Sequence, residues 1–144
     1  MAVQKRSVML WILRILAALI MLQTLFYKFS GAEESIYIFS KLGIEPWGRI
    51  ATGIGELIAS VLILIPATTV FGAILGTGLM SGAIFFHLTR LGIVVKDDSG
   101  QLFVYAVLVF GSCVILAWVG RWQVFNLFKK QKNRFVDRVR GSGL

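Results

Sequence analysis

Residues 49–90 read RIATGIGELIASVLILIPATTVFGAILGTGLMSGAIFFHLTR. This apolar stretch is broken by a tight turn at Pro66-Ala67-Thr68-Thr69 and carries two groups that apolar surroundings penalise, the carboxyl of Glu56 and the imidazole of His87, the one histidine of the chain. On either side of the turn the run approaches the length of about 20 residues that crosses a hydrocarbon core of about 30 Å. The stretch reads as two antiparallel membrane helices, about 50–65 and 70–88.

Working outward, two further apolar runs cover about 7–27 and 102–120. The 144 residues are 57% hydrophobic and only 15% charged, with a mean hydropathy of +0.80, whereas a soluble domain is roughly half apolar and about a quarter charged. Lipid offers no hydrogen bonds to an exposed backbone, so each run must be helical. The expected fold is all-α, an integral membrane four-helix bundle forming a single domain over 1–144, with a basic tail at 121–144.

Lys5 and Arg6 before the first run, and Ser30-Gly31-Ala32 after it, resemble the flanks of a signal peptide. The run exceeds the 7 to 15 residues usual for such a segment and contains Arg14, so it is expected to stay as a helix. An even helix count puts both termini on one side. The formal excess of +8 lies with them: Lys5 and Arg6 precede the bundle and Arg121, Lys129, Lys130, Lys132, Arg134, Arg138 and Arg140 follow it, while Lys28, Lys41, Arg49, Arg90 and Lys96 are balanced by Glu33, Glu34, Glu45, Asp97 and Asp98. The positive-inside bias places such termini in the cytoplasm. The basic tail is thus a topology determinant that touches anionic headgroups, not a nucleic-acid site.

In the first helix, Arg14 is near enough to the inner boundary for its side chain to snorkel back to the headgroups, and Gln23 and Tyr27, four apart, share a face. The following loop contains a helix start at Ala32-Glu33-Glu34-Ser35 and apolar residues Ile36, Phe39 and Leu42, with Ile38 nearby. This predicts a short interfacial helix ended by Gly43, which either caps a cavity or only shields the bundle. In the second membrane helix Ala51, Gly55 and Ala59 form a small-residue ridge, and Thr52, Glu56 and Ser60 a polar stripe expected to face inward. A carboxylate at that depth must be protonated, paired or wetted. In the third, Gly72, Gly76, Gly78 and Gly82 predict tight packing on more than one side. Helix four carries no charge. Beyond it Phe125, Phe128, Phe135, Val136 and Val139 alternate with basic residues, predicting a basic amphipathic C-terminal helix on the membrane surface.

Polar groups converge on the outer half of this arrangement. Glu56, His87, Lys28, Gln23, Arg49, Arg90 and Thr52 are the candidates for ligand binding or proton handling in a shared pocket. Other chemistries lack residues: one histidine does not make a bis-His haem site, no Cys/His cluster suits a metal, Cys113 has no partner cysteine, and no phosphate-binding glycine motif is present. No cofactor is expected to be held by the chain itself.

Lys28 to Gly31 (KFSG), Lys41 to Gly43 (KLG), Gly53 to Leu57 (GIGEL), Pro66 to Thr69 (PATT) and the Met80…Ala83…His87 spacing occur in an order that resembles the DoxX family over about Leu10 to Leu116. The resemblance implies a four-helix bacterial inner-membrane protein, grouped with oxidoreductase accessory subunits that include some linked to thiosulfate and quinone. It also implies that Glu56, His87 and Lys28 occupy the family's recurrent acidic, histidine and basic positions. The leading expectation is an accessory subunit of a membrane redox or envelope process, with a pocket for quinone or lipid, redox partner proteins, and glycine-rich faces available for homo-oligomers. The competing class is a non-enzymatic lipid-binding, transport or cargo-assembly membrane protein; a stand-alone enzyme ranks third.

Overall fold

The structure, a computed structural model, describes the backbone of residues 2–141 and the side chains of residues 7–122. It is all-α. The helices are α1 (Ala2–Phe29), α2 (Glu33–Lys41), α3 (Trp47–Leu64), α4 (Thr69–Phe86) and α5 (Gln101–Gly141), with a π-helical turn, His87–Leu91, extending α4. Four segments are long and apolar enough to cross a bilayer, Ser7–Phe29, Trp47–Leu64, Thr69–Leu91 and Gln101–Trp122. The chain is a multi-pass membrane protein.

The long helices pack in the order α1, α3, α4, α5 and back to α1. Their shared centre is made largely of small and flexible side chains, among them Ala17, Met21, Ala59, Ile63, Ala73, Val109, Cys113 and Leu116. Large apolar residues such as Phe26, Phe71, Phe85 and Leu88 point outward, as lipid-facing side chains do. Trp47 marks the end that carries α2, and Trp118 and Trp122 the opposite end, where the Arg121 guanidinium lies 3.7 Å from the Trp118 ring centroid.

Local chemistry sets the helix ends. Pro66 has no backbone N–H to donate, and the carbonyls orphaned at the end of α3 are taken up by hydroxyls. Thr68 Oγ1 donates to Leu62 O at 2.9 Å, and Thr69 Oγ1 has Ile63 O and Ile65 O at 3.1 and 3.0 Å. Gly43, at φ +75°, closes α2 by letting Ile44 N reach back to Phe39 O.

Three expectations are corrected. Arg14 does not run out along the helix: it is 8% exposed, its Nε is enclosed without a partner, and its guanidinium stacks 5.0 Å from the Trp11 ring centroid. The tail does not begin a new helix after Gly120, because α5 continues unbroken to Gly141; its side chains beyond residue 122, and with them the amphipathic pattern, lie outside the described residues. The four glycines of α4 also divide. A Cβ on Gly72 would sit 2.7 Å from Ile63 N and 2.8 Å from Ala59 O, and one on Gly76 2.8 Å from Cys113 Sγ, whereas on Gly78 and Gly82 it would meet nothing within 4 Å. Only the first two are helix-packing glycines.

Gly72→Ala therefore forces α3 and α4 apart and is expected to lose about 1 to 3 kcal/mol of stability, while Gly78→Ala, which gains helix propensity without a clash, is expected to be neutral or stabilising by up to about 1 kcal/mol. Thermal unfolding of the two variants in the same detergent measures the difference; equal midpoints would contradict the close approach.

Candidate functional site

At the α2 end the four long helices separate around a cavity of about 510 Å³. α1, α3, α4 and α5 make its walls, and α2 together with the 92–100 loop covers it. α2 faces it with Ser35, Ile38, Phe39 and Leu42, spaced for one helical face, while Ile36 is exposed. Phe39, Leu42 and Ile38 thus hold the apolar side expected of this segment, and only Ile36 of that set turns away. Gly78 and Gly82 border the same space, so the room beside them is part of the cavity.

Glu56 is 5% exposed on α3 and its carboxylate is paired. Lys28 Nζ, at the end of α1, donates to Oε1 at 2.9 Å and to Oε2 at 2.7 Å, and to Thr24 Oγ1 at 3.2 Å. Thr24 carries a single hydroxyl proton with two acceptors in range, Glu56 Oε2 at 2.9 Å and Met21 O at 2.8 Å. The ammonium spends its donors inside this cluster, and the charge of the pair sums to zero. Of the three states open to a membrane carboxylate, the structure has the paired one.

Arg49 works on the same corner without bordering the cavity. Its Nε donates to Glu45 Oε1 at 2.8 Å, its second guanidinium nitrogen lies 2.7 Å from the same oxygen, and the third donates to the backbone carbonyl of Lys28. Thr52 borders the cavity, with its hydroxyl bonded back to Gly48 O at 2.8 Å. Gln23 reaches it from an exposed position on α1, and Arg90 is exposed on the π-helical turn and does not.

His87 is 6% exposed and lines the cavity on the side of the π-helical turn. Its Nδ1 lies 2.8 Å from Gly92 O, and Gly92 N donates to His87 O at 2.9 Å, so the residue is bound at both ring and backbone. Phe103 meets the ring edge-on at 5.7 Å between centroids. Glu56 and His87 therefore border one space while each is oriented by its own neighbours.

Two contributors were not singled out in the sequence. Thr24 completes the Lys28–Glu56 cluster, and its signal was the four-residue step to Lys28. Asp98 accepts from Val95 N at 2.8 Å, Gly100 N at 2.9 Å and Leu102 N at 3.1 Å, closing the 92–100 loop and capping α5. Partial burial pushes its carboxyl up, but the three backbone N–H donors outweigh this and leave it below the usual carboxylate range. Across the mouth, Lys96 Nζ meets Glu33 at 2.5 Å; this hydrogen bond and the ammonium's charge hold the Glu33 carboxyl down. Among the described residues, no group of three His, Cys, Asp or Glu is placed to hold a metal ion.

Breaking the buried pair on one side strands the other charge. Lys28→Met and Glu56→Met are each expected to cost about 3 kcal/mol or more, and the double variant to recover most of that loss. A double-mutant cycle of unfolding in detergent reads the coupling, and additive losses would show that the two groups do not stabilise one another. Asp98 gives a pH dependence of fixed sign. Because its folded-state carboxyl is held down, the stability it adds is complete above the ordinary range of about pH 4 and disappears as pH falls through its folded value. Asp98→Asn should lower stability at neutral pH and flatten the acid limb of the stability curve; an unchanged limb would assign that limb to other groups.

The model of the DoxX-like family matches residues 12–114, the part of the chain that holds the whole cavity wall. Comparison with curated proteins and with solved structures gives no match. The chain belongs to the DoxX-like family.

Proposed function

We propose that the chain is a bacterial inner-membrane accessory subunit with both termini in the cytoplasm, and that its cavity faces the outer half of the bilayer and receives a neutral-headed apolar molecule, a quinone or a lipid, for a membrane redox or envelope process. The observation that carries this reading is the cavity, about 510 Å³ with predominantly apolar walls and both of its lysines engaged by carboxylates. Small-molecule sites fall at about 300 to 1,000 Å³ and combine apolar linings with a few placed polar groups. The charged side chains on the wall are two lysines, Lys28 and Lys96, and three carboxylates, those of Glu34, Glu56 and Asp98. A phosphate headgroup would find no cationic surplus there, since Lys28 is committed to Glu56 and Lys96 to Glu33. A neutral head would lose nothing by entering. Electron carriers, where the process is redox, belong to partner subunits.

The test is purification of the full chain in mild detergent, with extraction and identification of what stays bound. Bound quinone or neutral lipid is expected, and Gly82→Leu, which projects a side chain where a Cβ meets nothing within 4 Å, should reduce its occupancy at least about fivefold while keeping the unfolding midpoint. A co-purifying flavin or haem protein favours the redox arm, and neutral lipid without such a partner favours lipid handling. A cavity that holds nothing, or that holds anionic phospholipid equally in both proteins, would overturn the proposal.

A further inference from the structure

The hydrogen bonding of His87 sets which chemical form of ligand the cavity accepts. Gly92 O is a carbonyl and only accepts, so the 2.8 Å contact requires the proton on Nδ1. The backbone bond from Gly92 N to His87 O locks the two residues together across the π-helical turn, and Phe103 meets the ring edge-on. In the neutral ring the lone pair then belongs to Nε2. Among the described residues no donor bonds to Nε2, and it is not among the enclosed polar atoms that lack a partner. The residue is more than nine-tenths buried and borders the cavity, so the open side of Nε2 is the cavity.

We infer that Nε2 of His87 is a hydrogen-bond acceptor aimed at the cavity occupant, so that the site selects a head that donates an O–H: a hydroquinone over its quinone, or an alcohol-headed lipid such as a diacylglycerol. This rests on the proposed ligand-binding reading and narrows it. A quinone carbonyl set against Nε2 places acceptor against acceptor and leaves both buried groups unsatisfied, whereas a hydroxyl satisfies both. Across the cavity the Lys28 ammonium is already engaged by Glu56 and Thr24, so the strongest donor on that wall is not free to compensate a carbonyl head.

His87 is the one histidine in the chain, so labelling histidine with ¹⁵N in the full-length protein reports a single imidazole. The ligand-free protein in nanodiscs should show the Nδ1–H tautomer. Decyl-hydroquinone under anaerobic conditions should move the Nε2 resonance and bind at least about tenfold more tightly than the matching decyl-quinone, and His87→Phe should remove that preference. Dioctanoylglycerol is the second probe: a shift of Nε2 by it alone assigns the hydroxyl to a lipid and still supports the inference. An Nε2–H tautomer, or equal affinity for hydroquinone and quinone with Nε2 unmoved by any probe, would overturn it while leaving a ligand-binding cavity in place. If no probe binds and nothing co-purifies, the proposed function falls as well. Should His87→Phe fail to fold, the tautomer and the hydroquinone-to-quinone ratio of the unaltered protein still decide.

Discussion

The structure depends most on the pairing of Lys28 with Glu56, because it makes charge tolerable inside an apolar bundle. Taking either group alone out of water costs several kcal/mol, and only a close, well-bonded partner offsets that. The protein commits two helices to this contact. Lys28 ends α1 and Glu56 lies two turns into α3, and the same corner is fixed again by Arg49, which is seven residues before Glu56 on α3 and donates to the carbonyl of Lys28. Glu45 holds Arg49 in turn. One side chain contact and one backbone contact thus define the distance between α1 and α3 at the α2 end.

With that corner held by polar bonds, the cavity follows from where small residues stop serving as packing. Gly72 lets α4 press on the backbone of α3, and Gly76 admits the sulfur of Cys113 from α5, so the middle of the bundle is closed. Two and six residues beyond Gly76, Gly78 and Gly82 have no such neighbour and border the cavity. Glycine thus has opposite consequences within ten residues of one helix: close contact where a second backbone arrives, and empty volume where none does. The same packing makes Gly72 and Gly76 internal to one chain. They are not free faces for association.

Membrane class and helix number were legible because length and apolarity are local properties, readable without knowing what any helix touches. The ends were also legible where a single residue imposes them, as with Gly43 and Pro66. Rotational phase was legible only in part. On α1 the pair Gln23 and Tyr27 and the pair Thr24 and Lys28 have the same spacing and both border the cavity; which pair meets the buried carboxylate is decided by Glu56, 28 residues beyond Lys28. On α2 the expected residues Phe39, Leu42 and Ile38 do face the cavity, while Ile36 is exposed and Ser35 faces the cavity instead. Arg14 escaped for a related reason: snorkelling is sound for a lone helix, but the stripe Arg14, Ala17, Met21, Thr24 is the face that α1 turns toward its neighbours. Asp98 looked like charge balance because its partners are backbone N–H groups, which carry no signature in sequence.

The polar groups of the bundle differ in how much bonding capacity they leave unused, and this concentrates function. Ser60, Thr77, Ser81, Thr89 and Ser112 each return a hydroxyl proton to the carbonyl four residues back, which satisfies them within their own helix. Asp98 is occupied by three amides, and Lys28 by Glu56 and Thr24. A polar stripe read from sequence is therefore mostly silent chemically, because serine and threonine need no second helix. After those bonds are assigned, Nε2 of His87 is left on the cavity wall as a buried acceptor with no donor among the described residues. It is set there by a one-residue widening of the helix, since the π-helical turn brings Gly92 O opposite the ring. An ordinary α-helical end would pair His87 O with residue 91 and leave the Gly92 carbonyl elsewhere. The irregular turn is what gives the ring a fixed tautomer, and a fixed tautomer is what allows a single histidine to discriminate between donor and acceptor heads.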